Sequence, residues 1–94
     1  MTTKAKKTSS DELALKIKAL SHPARLEILK ILNDKCCICG EIVDVLPLSQ
    51  ATVSQHLKVL KEAGFIIGET DGTKVCYMLN RITLDKFKTM IAEL

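Results

Sequence analysis

Tryptophan is absent from this chain of 94 residues, and one tyrosine and two phenylalanines are its only aromatics of that class. The 47% that is hydrophobic therefore leaves Leu, Ile and Val to build the core, as in many helical proteins, and it excludes disorder along the whole length. No run approaches the ~18 apolar residues of a membrane helix, and the N-terminus has no apolar signal core. The expectation is a cytoplasmic protein without a membrane partner. No Gly-rich phosphate loop, metal-hydrolase motif or Ser/His/Asp set is present, which argues against an enzyme and against an organic cofactor. Internal repeats are also missing, and no low-complexity tract lies beyond the first ten residues.

What is present fits one small domain. A chain this short buries only ~60 to 65% of its unfolded surface, so a partner subunit is expected to contribute stability. Fourteen Lys plus Arg against eleven Asp plus Glu give a net charge of +3, a mild bias that suits a polyanion. Lys4, Lys6 and Lys7 stand in a polar run without apolar periodicity, so residues 1–10 read as a flexible basic arm and 11–94 as the folded domain. Cys36, Cys37 and Cys39 are too closely bunched for a conventional disulfide framework, with Cys76 alone downstream. As free thiols they point to burial, metal binding or redox sensing.

Ser10-Asp11-Glu12 supplies a cap and an acidic first turn for a helix to about Leu20, with Leu13, Ile17 and Leu20 on one face. Ser21-His22-Pro23 breaks it and starts a second helix to about Leu32, whose inner stripe is Leu26, Leu29 and Leu32, widened by Ile28 and Ile31. The cysteine cluster opens a short third helix that must end by Leu46, before Pro47. Ser49 caps a fourth helix and Gly64 ends it. Phe65–Thr70 and Thr73–Leu79 flank Asp71-Gly72 as a β-hairpin, which with those two residues as its loop sets Glu69 opposite Lys74. A last helix to Leu94 carries Leu84, Phe87, Ile91 and Leu94. The fold class is mainly α with a β-hairpin. Its order, four helices, hairpin and fifth helix, is a winged helix-turn-helix, with the terminal helices as natural homodimerisation elements.

The fourth helix carries the chemistry. Val53, Leu57 and Leu60 form one apolar stripe, which turns Ala51, Ser54, Gln55 and Lys58 to the other side. Short polar side chains let a helix enter a DNA groove, Lys58 and Lys61 reach phosphates, and no carboxylate precedes Glu62 in the helix.

The run Ala19-Leu20-Ser21-His22-Pro23-Ala24-Arg25-Leu26-Glu27-Ile28-Leu29, followed by Thr52-Val53-Ser54-Gln55-His56-Leu57-Lys58-Val59-Leu60-Lys61-Glu62-Ala63-Gly64, resembles the ArsR/SmtB family of bacterial repressors. The likeness extends over roughly residues 13–80. It implies a homodimer on a two-fold double-stranded operator, released when an inducer, often a metal or metalloid ion, binds. Mapped onto this chain, the recognition helix is Ser49 to Ala63, with Gln50, Thr52, Ser54 and Gln55 as base-edge candidates and Lys58, Lys61 and Lys74 as phosphate candidates. His56 falls beside the apolar stripe, between a packed imidazole and a DNA contact. His22 reads as a helix-start residue.

Relatives that sense trivalent arsenic or antimony carry Cys-Val-Cys at the start of the third helix, and Cys37-Ile38-Cys39 is similar. Here Lys35, Cys36 and Gly40 replace the flanking Glu, Leu and Asp, and Ile42 stands where some relatives have a third cysteine. The implied inducer is As(III), Sb(III) or another thiophilic ion, held by Cys37 and Cys39 and completed by Cys36 or Cys76. Residues two apart on a helix point to nearly opposite sides, so this pair grips one ion only where the chain is extended or unwinds. Cys37 and Cys76 also read as small buried hydrophobes. Residues 81–94 contain no His or Cys, and no cysteine precedes Cys36, which disfavours the zinc and cadmium sites of other relatives. Two further readings stand beside the ion-released repressor: a thiol-based redox-sensing repressor of the same fold, oxidised at Cys37 and Cys39 or at the neighbours Cys36 and Cys37, and a winged-helix module for protein contacts.

Overall fold

The computed structural model describes residues 9–94. Its elements run α1 (Ser9–Ala19), α2 (Pro23–Asp34), β1 (Cys37–Ile38), α3 (Cys39–Val45), α4 (Gln50–Glu62), β2 (Ile66–Asp71), β3 (Lys74–Leu79) and α5 (Arg81–Ala92). Residues 1–8 of the expected arm lie outside the described residues, whereas Ser9 and Ser10, assigned to that arm from sequence, belong to α1. No helix among the described residues is long and apolar enough to cross a membrane.

Local chemistry sets most boundaries. His22 is the N-cap of α2, its Nδ1 accepting from the Ala24 N–H at 3.1 Å, and Pro23 occupies the first turn, where a missing N–H is harmless. Pro47 separates α3 from α4, and the Leu48 N–H reaches back to the Leu46 carbonyl at 2.8 Å in a three-residue turn. Ser49 Oγ then accepts from the Thr52 N–H at 3.2 Å to cap α4. The other end of α4 closes in a Schellman motif: Phe65 N–H bonds the Leu60 carbonyl and Gly64 N–H the Lys61 carbonyl, each at 3.0 Å. Gly64 sits at φ +88, a conformation that any other common residue adopts only with strain. Asn80 caps α5 by accepting from the Thr83 N–H.

The core lies where α2, α3, α4 and the sheet converge, around Ile28, Leu32, Ile42, Val53, Leu57, Leu60 and Phe65. Phe65 also meets Phe87 of α5 edge-on, with ring centroids 5.4 Å apart. The stripe of α4 is buried as its spacing requires, but α2 is rotated from the expected face: Ile28 is fully buried and Leu26 is 43% exposed. Leu15 and Ile17 of α1 and Ile82, Ile91 and Leu94 at the α5 end are exposed too, so the terminal helices spend only part of their apolar surface on this chain's own core.

The sheet differs from a simple hairpin. It has three strands in the order β1-β3-β2, all antiparallel, with Cys37 opposite Tyr77 and Ile38 opposite Cys76. The cysteine cluster therefore does not open directly into helix; the second edge of β3 recruits Cys37 and Ile38 as a short strand first. The hairpin register also departs from expectation. Asp71 pairs with Lys74 and Glu69 with Cys76, so the loop is Gly72-Thr73, one residue later than expected. Gly72, at φ +66, is the first loop residue, the place where primed hairpin turns need a positive φ.

Leu57 is 1% exposed, and truncating it leaves a cavity in this core. Leu57→Ala is expected to lower the unfolding free energy by about 2 to 5 kcal/mol in urea titrations, while Lys58→Ala on the exposed face changes it by about 0.5 kcal/mol or less. Equal, small effects at both positions would contradict the assigned rotation of α4.

Candidate nucleic-acid interface and thiol groups

The connection between α3 and α4 is so short that both helices are fixed against one core, and the caps at Ser49 and Gly64 set where α4 begins and stops. Burial of Val53, Leu57 and Leu60 turns the opposite face outward. Thr52, Ser54, Gln55 and Lys58 are exposed on it, Gln50 and Lys61 are exposed on the flank beside Leu57, and Lys74 is exposed at the hairpin tip. Both Gln50 and Gln55 expose their side chains to solvent. Ser49 is exposed as well, but its hydroxyl is already committed to the cap and to Thr52 Oγ1 at 3.0 Å. Ser54 Oγ lies 3.6 Å from Cys39 Sγ, which joins the polar face of α4 to the cysteine cluster.

His56 is the candidate that leaves the face. It is 7% exposed, its ring stacks at a tilt on His22 with centroids 4.5 Å apart, and its Nδ1 accepts from Arg25 Nε at 3.2 Å. The packed alternative is the one realised, because the imidazole sits beside the apolar stripe and turns toward α2. Burial first, then the nearby His22 and Arg25, pull its pKa below the ordinary 6.5. Arg25 has a second task that sequence reasoning missed: its Nη1 donates to the carbonyls of Lys18 and Ala19 at the end of α1, at 3.4 and 3.2 Å. Lys16 Nζ donates to the Ala63 carbonyl at 3.2 Å, tying α1 to the C-terminus of α4 as well.

The four cysteines are not gathered into one site. Cys37 faces the core at 2% exposure, its Sγ donates to the Lys35 carbonyl at 3.6 Å, and burial followed by the Glu41 charge pushes its thiol pKa up. Cys39 turns toward Ser54. Cys36 and Cys76 meet instead: a hydrogen bond with Cys36, followed by burial, pushes the Cys76 thiol up to about 11. The chain is extended from Lys35 into β1, so successive side chains alternate and Cys36, just before the strand, leaves on the opposite side from Cys37. Among the described residues, no three His, Cys, Asp or Glu side chains converge in an arrangement ready for a metal ion. The backbone nevertheless meets one expected condition: Cys37 and Ile38 are extended, with Ile38 at φ −84 and ψ 163, so Cys37 and Cys39 do not start on opposite sides of a helix.

A short two-helix hinge, a polar exposed second helix and a β-wing define a winged helix-turn-helix domain. The family model for bacterial regulatory proteins of the arsR family matches residues 22–67, from the α2 cap to β2. An arsenical resistance operon repressor of Staphylococcus xylosus is 37% identical over 78 residues, covering 82% of this chain and 74% of that protein. The chain belongs to the arsR family. The HTH-type transcriptional repressor SmtB of Mycobacterium tuberculosis (strain ATCC 25618 / H37Rv) is 43% identical over 63 residues, or 67% of this chain, and this chain spans 47% of that protein's length. Among solved structures, an ArsR-like transcriptional regulator from Rhodococcus sp. RHA1 superimposes with a TM-score of 0.82 at 26% identity, covering 90% of this chain and 80% of that one.

The folded protein prefers neutral His56, whereas the unfolded chain takes up a proton near pH 6.5. Below that pH the unfolded state binds more protons, so the stability contributed by the neutral ring is intact above it and lost as pH falls. Thermal melts from about pH 7.5 to about 5.5 should show a steeper loss of Tm in the parent than in His56→Gln. Parallel slopes would remove His56 from the account.

Proposed function

We propose that this chain is a cytoplasmic transcriptional repressor that binds double-stranded operator DNA as a homodimer. The observation that carries the reading is the orientation of α4: its apolar stripe and His56 are buried, while Thr52, Ser54, Gln55 and Lys58 face outward, with Gln50 and Lys61 exposed on the flank. A helix so presented fits the major groove, where amides and hydroxyls pair with base edges and lysines with phosphates. Lys74 on the wing adds a phosphate contact. The apolar surface that α1 and α5 leave exposed supports pairing of two copies through the terminal helices, which sets two reading helices on a two-fold operator.

The proposed inducer is trivalent arsenic or antimony, or another thiophilic ion, taken by Cys37 and Cys39. Support comes from their positions at the two ends of an extended Ile38, from the affinity of thiolates for soft ions and from the likeness to the staphylococcal arsenical resistance repressor. The third ligand is proposed to come from Cys36 or Cys76, which lie across the sheet from Cys37 and would reach the ion only as the extended segment at β1 unwinds. Capture would draw the Cys39 thiol off Ser54 and move the start of α3 against α4, weakening DNA binding by the ~1 to 3 kcal/mol typical of allosteric coupling.

Anisotropy titrations on duplex DNA from the chain's own promoter test both parts. Affinity should fall steeply with salt, and Lys58→Ala or Lys74→Ala should each reduce the slope by about 1. Gln55→Ala should relax preference at one operator position by ~1 to 3 kcal/mol. Equal affinity for operator and random duplex at every salt concentration would favour a protein-interaction module. Cys37→Ser with Cys39→Ser should keep DNA binding and abolish release by arsenite; release that persists in that variant discards the ion site.

A further inference from the structure

Cys36 and Cys76 form a dithiol separate from Cys37 and Cys39. Ile38 stands opposite Cys76 in the β1–β3 ladder, so Cys36, two residues before Ile38, leaves the same face of the sheet and lies diagonal to Cys76. On that diagonal the two thiols are neighbours, with Cys36 exposed and Cys76 partly so. Neither competing thiol shares that setting, since Cys37 is buried against the other face and Cys39 lies against Ser54.

We propose that Cys36 and Cys76 are a redox-modification site that closes into a reversible cross-strand disulfide with a hydroperoxide. The two thiols give up two protons and two electrons, the sulfur–sulfur bond forms, the oxygen–oxygen bond of hydrogen peroxide breaks, and two waters leave. Diagonal cross-strand neighbours stand about 7 to 8 Å apart at Cα, slightly beyond the usual disulfide span of up to about 6.8 Å. Cys36 precedes the ladder and has no partner strand residue of its own, so the last approach needs movement only of the segment between α2 and β1. The bond would staple that segment, and with it the approach to α3, to the central strand of the wing. A soft ion at Cys37 and Cys39 and an oxidant at Cys36 and Cys76 would then act on the same helix-turn-helix from opposite faces of the sheet; the dithiol chemistry itself does not depend on DNA binding.

The test is peroxide treatment of the full chain, followed by thiol counting and non-reducing tryptic mapping. The expected result is loss of two of the four thiols and a linkage between the peptides spanning 36–58 and 75–81, reversed by dithiothreitol. The linkage should persist in Cys39→Ser and vanish in Cys36→Ser, an exposed position whose replacement leaves the core untouched. The proposal is overturned by a linked pair that survives in Cys36→Ser, by loss of thiols only as monomeric sulfinic acids, or by four thiols that resist peroxide. Operator affinity of the reduced chain, measured before peroxide is added, separates the two readings: a chain that binds no operator when reduced yet still forms the disulfide would sink the repressor and leave this site standing.

Discussion

The guanidinium of Arg25 joins three helices, and the geometry of the reading face depends on it. From the first turn of α2 it donates to the last carbonyls of α1 through Nη1 and to the buried ring of His56 through Nε. A cation at the α1 C-terminus is favoured by the carbonyls that end there, and the planar donor set serves two directions at once. The His56 bond adds to the rotation of α4 that its buried Val53, Leu57 and Leu60 set, because an imidazole accepting from Arg25 leaves Ser54, Gln55 and Lys58 on the outside. Lys16 adds a second tie from α1 to the end of α4. The helix with exposed Leu15 and Ile17 is thus bonded to the helix with the exposed polar face, which connects the surface suited to a second subunit with the surface suited to DNA.

The thiols sit on the other side of the same helix-turn-helix. Residues 35–39 change from the end of α2 to strand and then to α3 within a few positions, and Glu41 secures the last change by accepting from the Ile38 N–H at 2.9 Å. Small displacements there pass directly to α3 and, through the Cys39–Ser54 contact, to α4. Alternation through the extended segment at β1 sorts the cysteines by face, so three thiols bunched in sequence and a fourth from β3 become chemically distinct: Cys37 buried, Cys39 against α4, and Cys36 on the same side of the sheet as Cys76.

Features governed by nearest neighbours were legible in the sequence. His22-Pro23 announced a helix start, Pro47 and Ser49 the turn of the helix-turn-helix, and Gly64 a left-handed stop, because caps and turns are local chemistry. The stripe of α4 was equally plain, since three large aliphatics at helical spacing admit one inner face. The hairpin was visible but its register was not: Asp71-Gly72 fits a loop in either of two frames, and the frame chosen places Gly72 first. Strand β1 escaped entirely, because two residues have no measurable period and their strand state comes from the free edge of β3. The Arg25–His56 bond spans 31 positions, beyond any local rule. One clue was present, an imidazole on the apolar side of a helix, which needs a polar partner once buried.

Amide chemical shifts followed by NMR during titration with the promoter duplex test the central claim most directly, because they report every element at once. The account predicts that the largest changes gather on Gln50, Thr52, Ser54, Gln55 and Lys58 and at the Gly72–Lys74 wing tip, with core amides of α2 moving little. Changes confined to α1 and α5, or an α4 whose amides do not respond to saturating DNA, would contradict it.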